Sequence, residues 1–449
     1  MIVPRPRLVL FAGAVAAPLA GAAWAFPGTQ WFCVPSLLVL TAVAVADAWM
    51  SMHILDGLVL EAPGVIRATA GRHTRIPVRI RHGRPDALEI RLAPGIPAGL
   101  TDPGSDIAFT VPPAARIEAE WSFLAATRGR FRVDSCAVEA PSRLGLWSIR
   151  GVRQVPFEVR VYPDMRRAAA PAEALFLARG LYGSRPRRQV GRGREFEHLR
   201  EFVRGDSRDD IHWKATARRG VPIVKTWQIE RTQEVYACID VSRLGGRPSE
   251  PSPDEERVPG GLTVLDRWIT AALVLGRAAQ AQGDLFGLMA FSGGIRRFVR
   301  ARNGAAHYGL CRDAIFALEP HGEGPSFEEV CTFLDLRLRR RSLLVFLTDL
   351  SDPSAADSFK RGVELIRRRH IVMVGALQPP FVRPVFSPPD PASVDGIYRA
   401  LAGHLLWARL KELQQTLSRT GVTLMPLSEA SLAAEVVSRY LEVKRRQLL

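Results

Sequence analysis

The chain has 449 residues with 61 basic and 45 acidic side chains, a formal net charge of +16, and that length predicts two to four folded units. A composition 47% hydrophobic and 24% charged excludes a wholly disordered chain, and five cysteines with no C-x-x-C exclude a disulfide scaffold or a zinc ribbon. The pI near 10.5 suits nucleic acid or anionic lipid, but the basic residues are spread along the chain without a zinc-finger, helix-turn-helix or RNA-binding signature, so no nucleic-acid partner is expected.

Residues Leu8–Phe26 and Trp31–Ala46 carry no charge, and with their flanks each approaches the roughly 20 residues needed to cross a bilayer. Pro27-Gly28-Thr29-Gln30 between them is a tight turn. Trp24, Trp31 and Trp49 fall where interfacial aromatics sit. Residues 1–56 are therefore expected to form a transmembrane helical hairpin, with spans at about 8–26 and 31–51. Arg5 and Arg7 precede the first span, and Arg67, Arg72 and Arg75 follow the second. The positive-inside rule then puts both ends in the cytoplasm and makes the chain a two-span protein of the cell membrane. Ala23-Trp24-Ala25 also resembles a signal-peptide cleavage site, and cleavage there would still leave the second span.

Residues 57–165 change to short alternating runs broken by Gly and Pro. Arg75–Arg81, Ala87–Leu92, Arg130–Val133 and Phe157–Tyr162 alternate polar and apolar side chains, which predicts half-buried antiparallel strands. Several such strands suggest an immunoglobulin-like β-sandwich, most simply a spacer or protein-contact module. Residues 166–233 form a linker and a dense polar segment expected to pack on the C-terminal domain. From 234 to 449 strands and helices alternate. Strands are expected at Glu234–Val241, Asp284–Phe291, Ile295–Arg300, Ser342–Asp349, Ile371–Ala376 and Val422–Met425. Helices are expected from near Thr263, from Ser326 to Arg340, at Ala356–Arg369, up to about Arg419, and at the end. Thr263 with Asp266, and Ser326 with Glu329, have capping-box spacing. The pattern predicts a doubly wound parallel sheet.

Two of these strands end in acids on one edge, and open α/β sheets bind ligands beyond the carboxyl ends of their strands. Asp240, Ser242, Thr348 and Asp349 offer two carboxylates and hydroxyls, a hard oxygen set that suits Mg²⁺ or Mn²⁺. The same spacing equally allows each Asp to cap the helix after it. The five lysines lack a phosphate-binding loop around any of them; Lys225-Thr226 comes nearest, with Arg219 and Val224 where glycines are required. An enzyme alternative is an α/β-hydrolase with Ser292 as nucleophile in Ala290-Phe291-Ser292-Gly293-Gly294, followed by Asp349 and then His370 or His404. The residues after Ser292 read instead as a hairpin returning as a strand, so no catalytic residue is assigned. His198 and His212 have no ligand spacing of a known metal site.

The dense segment carries Glu195-Phe196-Glu197, Leu199-Arg200, Gly205-Asp206, Ile211-His212-Trp213 and Ala217-Arg218, then Glu230-Arg231. This resembles the signature of the bacterial family known as domain of unknown function 58. The resemblance extends to the apolar N-terminus, Arg128-Gly129, Leu144-Gly145-Leu146 and Val161-Tyr162-Pro163. It departs from the family spacing where Asp209-Asp210 stands between Arg208 and Ile211. The resemblance implies a von Willebrand factor A-like C-terminal domain and a partnership with MoxR-type AAA+ ATPases, in assembly, maturation or stress-related processes of the cell envelope rather than in catalysis. Such domains bind metal through Asp-x-Ser-x-Ser, a Thr and a later Asp. Here Asp240 and Ser242 match the first positions and Asp349 the last, Ser326 loosely matches the Thr, and Leu244 replaces the second Ser. That set implies a weak Mg²⁺ or Mn²⁺ site that tightens with a partner. Trp213 is expected to pack at the sandwich–sheet junction, with Arg218 and Asp206 in a buried or half-buried polar network.

Overall fold

A computed structural model describes residues 1–25, 30–83, 85–101, 107–113, 116–166, 190–204, 206–228, 233–249, 261–378, 381–385, 393–428 and 431–446. The chain divides into two units, one centred on Met1–Tyr162 and the other on the chain from Pro163 onward.

The first unit begins with a short strand, β1 (Ile2–Pro4), followed by two apolar helices, Pro6–Ala25 and Gln30–Ser51. Among the described residues one helix is long and apolar enough to cross a membrane, over Val34–Ser51 with mean hydropathy 1.6; Pro6–Gly21 is a shorter apolar stretch. Eight further strands follow before the last of this unit. They are β2 (Val59–Glu61), β3 (Val65–Thr69), β4 (His73–Arg81), β5 (Leu88–Pro94), β6 (Leu100–Thr101), β7 (Ile107–Val111), β8 (Arg116–Ala125) and β9 (Gly129–Pro141). With β10 (Trp147–Tyr162) they make two sheets. One runs β1-β10-β9-β5-β7, with β3 beside β10, and the other β2-β4-β8-β6.

The period-two pattern is realised as read: Ile76, Val78 and Ile80 of β4 are buried. They share a core with Trp121 and Phe123, and with Ile90, Val138 and Val159 of the other sheet. Alternation drives this, because every second side chain of a strand points to one face. One departure from the antiparallel expectation is β3, which runs parallel to β10.

The end of the second apolar helix is bolted to the turn between β9 and β10. Asp47 is buried there, and its carboxylate accepts the Ser142 hydroxyl at 2.6 Å and the Leu144 N–H at 3.0 Å. Trp147 Nε1 donates to the Ala44 carbonyl at 2.8 Å. The buried carboxylate is thus supplied with donors, as its burial requires.

In the second unit β11 (Val190–Glu201) pairs antiparallel with β12 (Ile223–Gln228), and a seven-residue helix, Trp213–Arg219, lies between them. A six-stranded sheet follows. Its strands are β13 (Glu234–Asp240), β14 (Leu285–Phe291), β15 (Ile295–Arg302), β16 (Ser342–Thr348), β17 (Ile371–Leu377) and β18 (Thr423–Leu427), in the order β15-β14-β13-β16-β17-β18. All neighbours are parallel except the β14–β15 hairpin at the edge.

Helices cover both faces because both faces are apolar. Val235, Ala237 and Ile239 pack with the helices Val264–Ala281 and Leu432–Arg445. Tyr236 and Cys238 point the other way, toward the helices Phe327–Arg337 and Pro353–Ile366. The Thr263–Asp266 capping box forms, with donors satisfied in both directions. The one expected at Ser326 does not, since that hydroxyl makes no cap hydrogen bond. The helix Ala305–Ile315 was not legible from the pattern. The helix Val394–Arg419 buries Leu413 and Leu417 near its end but leaves Val394, Ile397, Tyr398, Leu401 and Leu405 exposed on one stripe of its first half.

Candidate functional site

In the six-stranded sheet the winding reverses between β13 and β16: β14 lies on one side of β13 and β16 on the other. Strand ends diverge at such a point and leave a crevice. Asp240 closes β13, Thr348 closes β16, and Asp349 follows it. The apolar strands carry these polar residues to the edge because nothing in their interiors competes for the core.

Both carboxylates are buried and both are fully engaged. Asp240 Oδ1 accepts the Ser242 N–H at 2.8 Å, and Oδ2 accepts the Thr348 hydroxyl at 2.6 Å. Asp349 Oδ1 accepts the Ser351 N–H at 2.8 Å and its hydroxyl at 2.6 Å. Each Asp therefore closes a turn onto the residue two positions on. Neither caps a helix: Asp352 caps the helix Pro353–Ile366, and the 3₁₀ turn Arg243–Gly246 has no side-chain cap. Burial raises the Asp240 carboxyl above its ordinary range, and the charge of Asp349 adds to the effect.

The remaining Asp349 oxygen is taken by Arg247, whose guanidinium pairs with Oδ2 and also donates from Nε to the Leu244 carbonyl at 3.2 Å. The motif spacing that picks out Asp240, Ser242 and Asp349 does not include Arg247. Ser242 Oγ is buried and has no hydrogen-bond partner, the one feature of the edge that would welcome a cation. Against it stand Leu244 in place of a hydroxyl and a guanidinium on the Asp349 oxygen that a metal would use. Among the described residues no group of three or more His, Cys, Asp or Glu side chains could hold a metal ion. With Arg247 in this position the donor set does not fit a divalent ion. The hydroxyl on Asp240 is that of Thr348, and Ser326, the loose match for the Thr position, donates its N–H to the Ser292 carbonyl at 2.9 Å.

The hydrolase constellation does not assemble. Ser292 is buried in the β14–β15 hairpin and its Oγ accepts from Arg296 Nε at 2.7 Å, while Arg296 pairs with Glu323 at 2.6 Å. No helix follows the serine, so there is no strained elbow to expose it. His370 sits at the opposite edge of the sheet, where its Nδ1 accepts the Ser342 N–H at 3.3 Å as β16 begins. His404 stacks on Trp407 of its own helix.

Of the dense segment, Glu195 and Phe196 lie in β11, opposite Gln228 and Trp227 of β12. Gly205 lies outside the described residues. Asp206 is gripped by Arg200 through two bonds of 2.8 and 2.6 Å and also accepts the Val203 N–H at 2.8 Å. The Arg200 guanidinium holds the Asp206 carboxyl below its usual range.

Trp213 does not pack within its own unit: the residue is 70% exposed. Its helix has no buried residue, and Ala217 and Arg218 are exposed with it. That turn is held by polar caps instead, with the Ala215 N–H donating to His212 Nδ1 at 3.0 Å and the Ile223 N–H to Thr216 Oγ1 at 3.0 Å. The partner of Asp206 is Arg200 rather than Arg218.

Residues 198–380 match the family described as protein of unknown function DUF58. No curated protein matches the chain in sequence. Among solved structures the chain is similar to the conserved hypothetical protein BatB from Bacteroides thetaiotaomicron, at 13% identity and a TM-score of 0.30, over 48% of this chain and 99% of that one. It is also similar to an aerotolerance-related membrane protein from Bacteroides fragilis NCTC 9343 carrying multiple mutations to serine, at 12% identity and a TM-score of 0.28, over 47% and 98%.

Proposed function

Because the chain carries the DUF58 family segment over residues 198–380, we propose that it is a membrane-anchored protein-interaction module rather than an enzyme. In this reading its soluble parts are cytoplasmic and its partner is a MoxR-type AAA+ ATPase, the partner implied by the family resemblance. One observation carries the interaction reading. The helix Val394–Arg419 exposes Val394, Ile397, Tyr398, Leu401 and Leu405 at helical spacing. Beside the second half of that helix lies a groove of about 360 Å³, lined by Leu350, Ser351, Ala356, Lys360, Leu410 and Leu413. An apolar stripe of this kind marks an interaction face, whereas both carboxylates at the sheet edge are tied to groups of the chain itself.

The two-span hairpin draws support from the N-terminal strand. Ile2, ahead of the first apolar helix, pairs with Ile149, well after the second. That pairing favours both ends of the hairpin on one side of a bilayer, and Arg5 and Arg7 favour the cytoplasmic side. The sheet orders are compatible with an immunoglobulin-like domain followed by a von Willebrand factor A-like one.

The partner is tested by capture from detergent-solubilised membranes of the native organism, with and without ATP, using the wild-type chain and Tyr398→Asp/Leu401→Asp. An ATPase captured by the wild type and lost with the stripe variant is the expected result; equal capture by both sinks the assignment of the face. Topology is tested by fusing, after Leu449, a phosphatase active only outside the cytoplasm and, separately, a fluorescent protein that folds only inside. Phosphatase activity there would contradict the orientation.

A further inference from the structure

All four carboxylate oxygens at the switch point have donors supplied by the chain itself. Ser242 N–H and the Thr348 hydroxyl serve Asp240; Ser351 and the Arg247 guanidinium serve Asp349. The route by which Arg247 arrives is built into the backbone. Gly245 and Gly246 end a 3₁₀ turn, Arg243–Gly246, packed so closely that a Cβ on Gly245 would stand 3.2 Å from Leu265 Cβ and 3.4 Å from the Asp240 carbonyl oxygen. That turn brings the chain back from the end of β13 and aims the next side chain across the edge at Asp349, 102 positions away. Leu244 holds the same guanidinium through its carbonyl. The residue that breaks the hydroxyl pattern thus helps to seat a cation of a different kind.

We propose that Arg247 is the resident cation of this edge, seated on the Asp349 oxygen that a divalent ion would require, so that the site operates without metal. A guanidinium suits the task because it stays protonated at any working pH and makes directed bonds to carboxylate and carbonyl oxygens at once. The buried, unpartnered Ser242 Oγ marks the space left on the Asp240 side. Displacing Arg247 would free Asp349 Oδ2, leaving that carboxylate oxygen and the Ser242 hydroxyl open to a cation.

The inference does not depend on the ATPase partner, because its test is read on the purified full-length chain in detergent with Mn²⁺ alone as the probe. Electron paramagnetic resonance reports free Mn²⁺ directly. Wild type is expected to leave the free-ion signal unchanged. Arg247→Ala should gain a site at least about tenfold tighter, equivalent to about 1.4 kcal/mol, and the added Asp349→Ala should remove it. Arg247→Lys, which keeps the charge, should stay metal-insensitive. Should Arg247→Ala not fold, Arg247→Met, which fills the space without the charge, takes its place. Mn²⁺ binding by wild type that Asp240→Ala abolishes would overturn the proposal, and so would a failure of both uncharged variants to gain a site.

Discussion

His370 offers a test of the sheet's lower edge that no surface effect should imitate. It is 3% exposed, its Nδ1 accepts the Ser342 N–H, and its Nε2 has no hydrogen-bond partner. Burial, helped by the charge of neighbouring Arg369, pushes its pKa down from 6.5 to about 4. In the unfolded chain the imidazole takes up its proton as pH falls through about 6.5; in the folded chain it does so only near 4. Between those values the unfolded state binds more protons, so stability falls as pH falls. Across the window the loss comes to about 3 kcal/mol, at about 1.4 kcal/mol per pH unit. His370→Gln keeps an acceptor for Ser342 and cannot titrate. Amide hydrogen exchange by mass spectrometry, on peptides covering Ser342–Thr348 and Ile371–Leu377 and corrected for intrinsic pH effects, should show wild-type protection dropping between pH 6.5 and 4.5 by more than in the variant. Parallel profiles for the two proteins would refute the reasoning, because other groups titrate identically in both.

Three further outcomes are expected. Asp284, buried, accepts from Tyr440, from Lys444 at 2.8 Å and from the Gln233 N–H at 3.2 Å. Asp284→Ala should cost about 3–5 kcal/mol, read as a Tm lower by about 10 °C in calorimetry. At Gly276 a Cβ would stand 2.6 Å from Phe286 Cε1. Gly276→Ala should destabilise by about 1–3 kcal/mol despite its better helix propensity, and Phe286→Leu in the same chain should recover part of the loss in urea unfolding. Trp213→Ala should change stability by less than about 0.5 kcal/mol; a Tm drop of several degrees would show that the indole is packed after all.

How much of the fold could be read depended on whether its cause was local. The strands around Val235–Asp240 and Ser342–Thr348 are near-continuous apolar runs because both faces are covered, and such runs are visible in any window. The helix Ala305–Ile315 buries only His307, Cys311 and Ile315, and a stripe with one aliphatic residue in three carries no hydrophobic period. Strand β1 has three residues, and only its pairing with β10 makes it a strand; no pattern within Ile2-Val3-Pro4 could announce that. Trp213 is the opposite case. A lone aromatic suggested burial, yet Thr216 and Ala217, where a helix would carry its apolar companions, are not large hydrophobes. Without a stripe to extend, the indole had nothing to pack with on its own helix.

The candidate site divides along the same line. Asp240 and Asp349 were legible because each ends an apolar strand, and Thr348 stood beside one of them. Their assignment as helix caps or metal ligands was not legible, since both alternatives use the same spacing. The structure realises neither: each Asp closes a turn onto the residue two positions on, and Asp349 also pairs with Arg247, 102 positions away. The available signal was compositional: Leu244 where a hydroxyl would serve a metal, then Gly245-Gly246 to turn the chain sharply, then a basic residue. The guanidinium side chain is 44% exposed and its carboxylate partner only 3%, so the pair is asymmetric. Removing the arginine would strand a buried charge at a cost of about 3 kcal/mol or more, whereas the arginine by itself could return to water cheaply. The dependence therefore runs from Asp349 to Arg247, as it would run from a carboxylate to its metal. The difference is that this cation is covalently part of the chain, present whatever the supply of divalent ions.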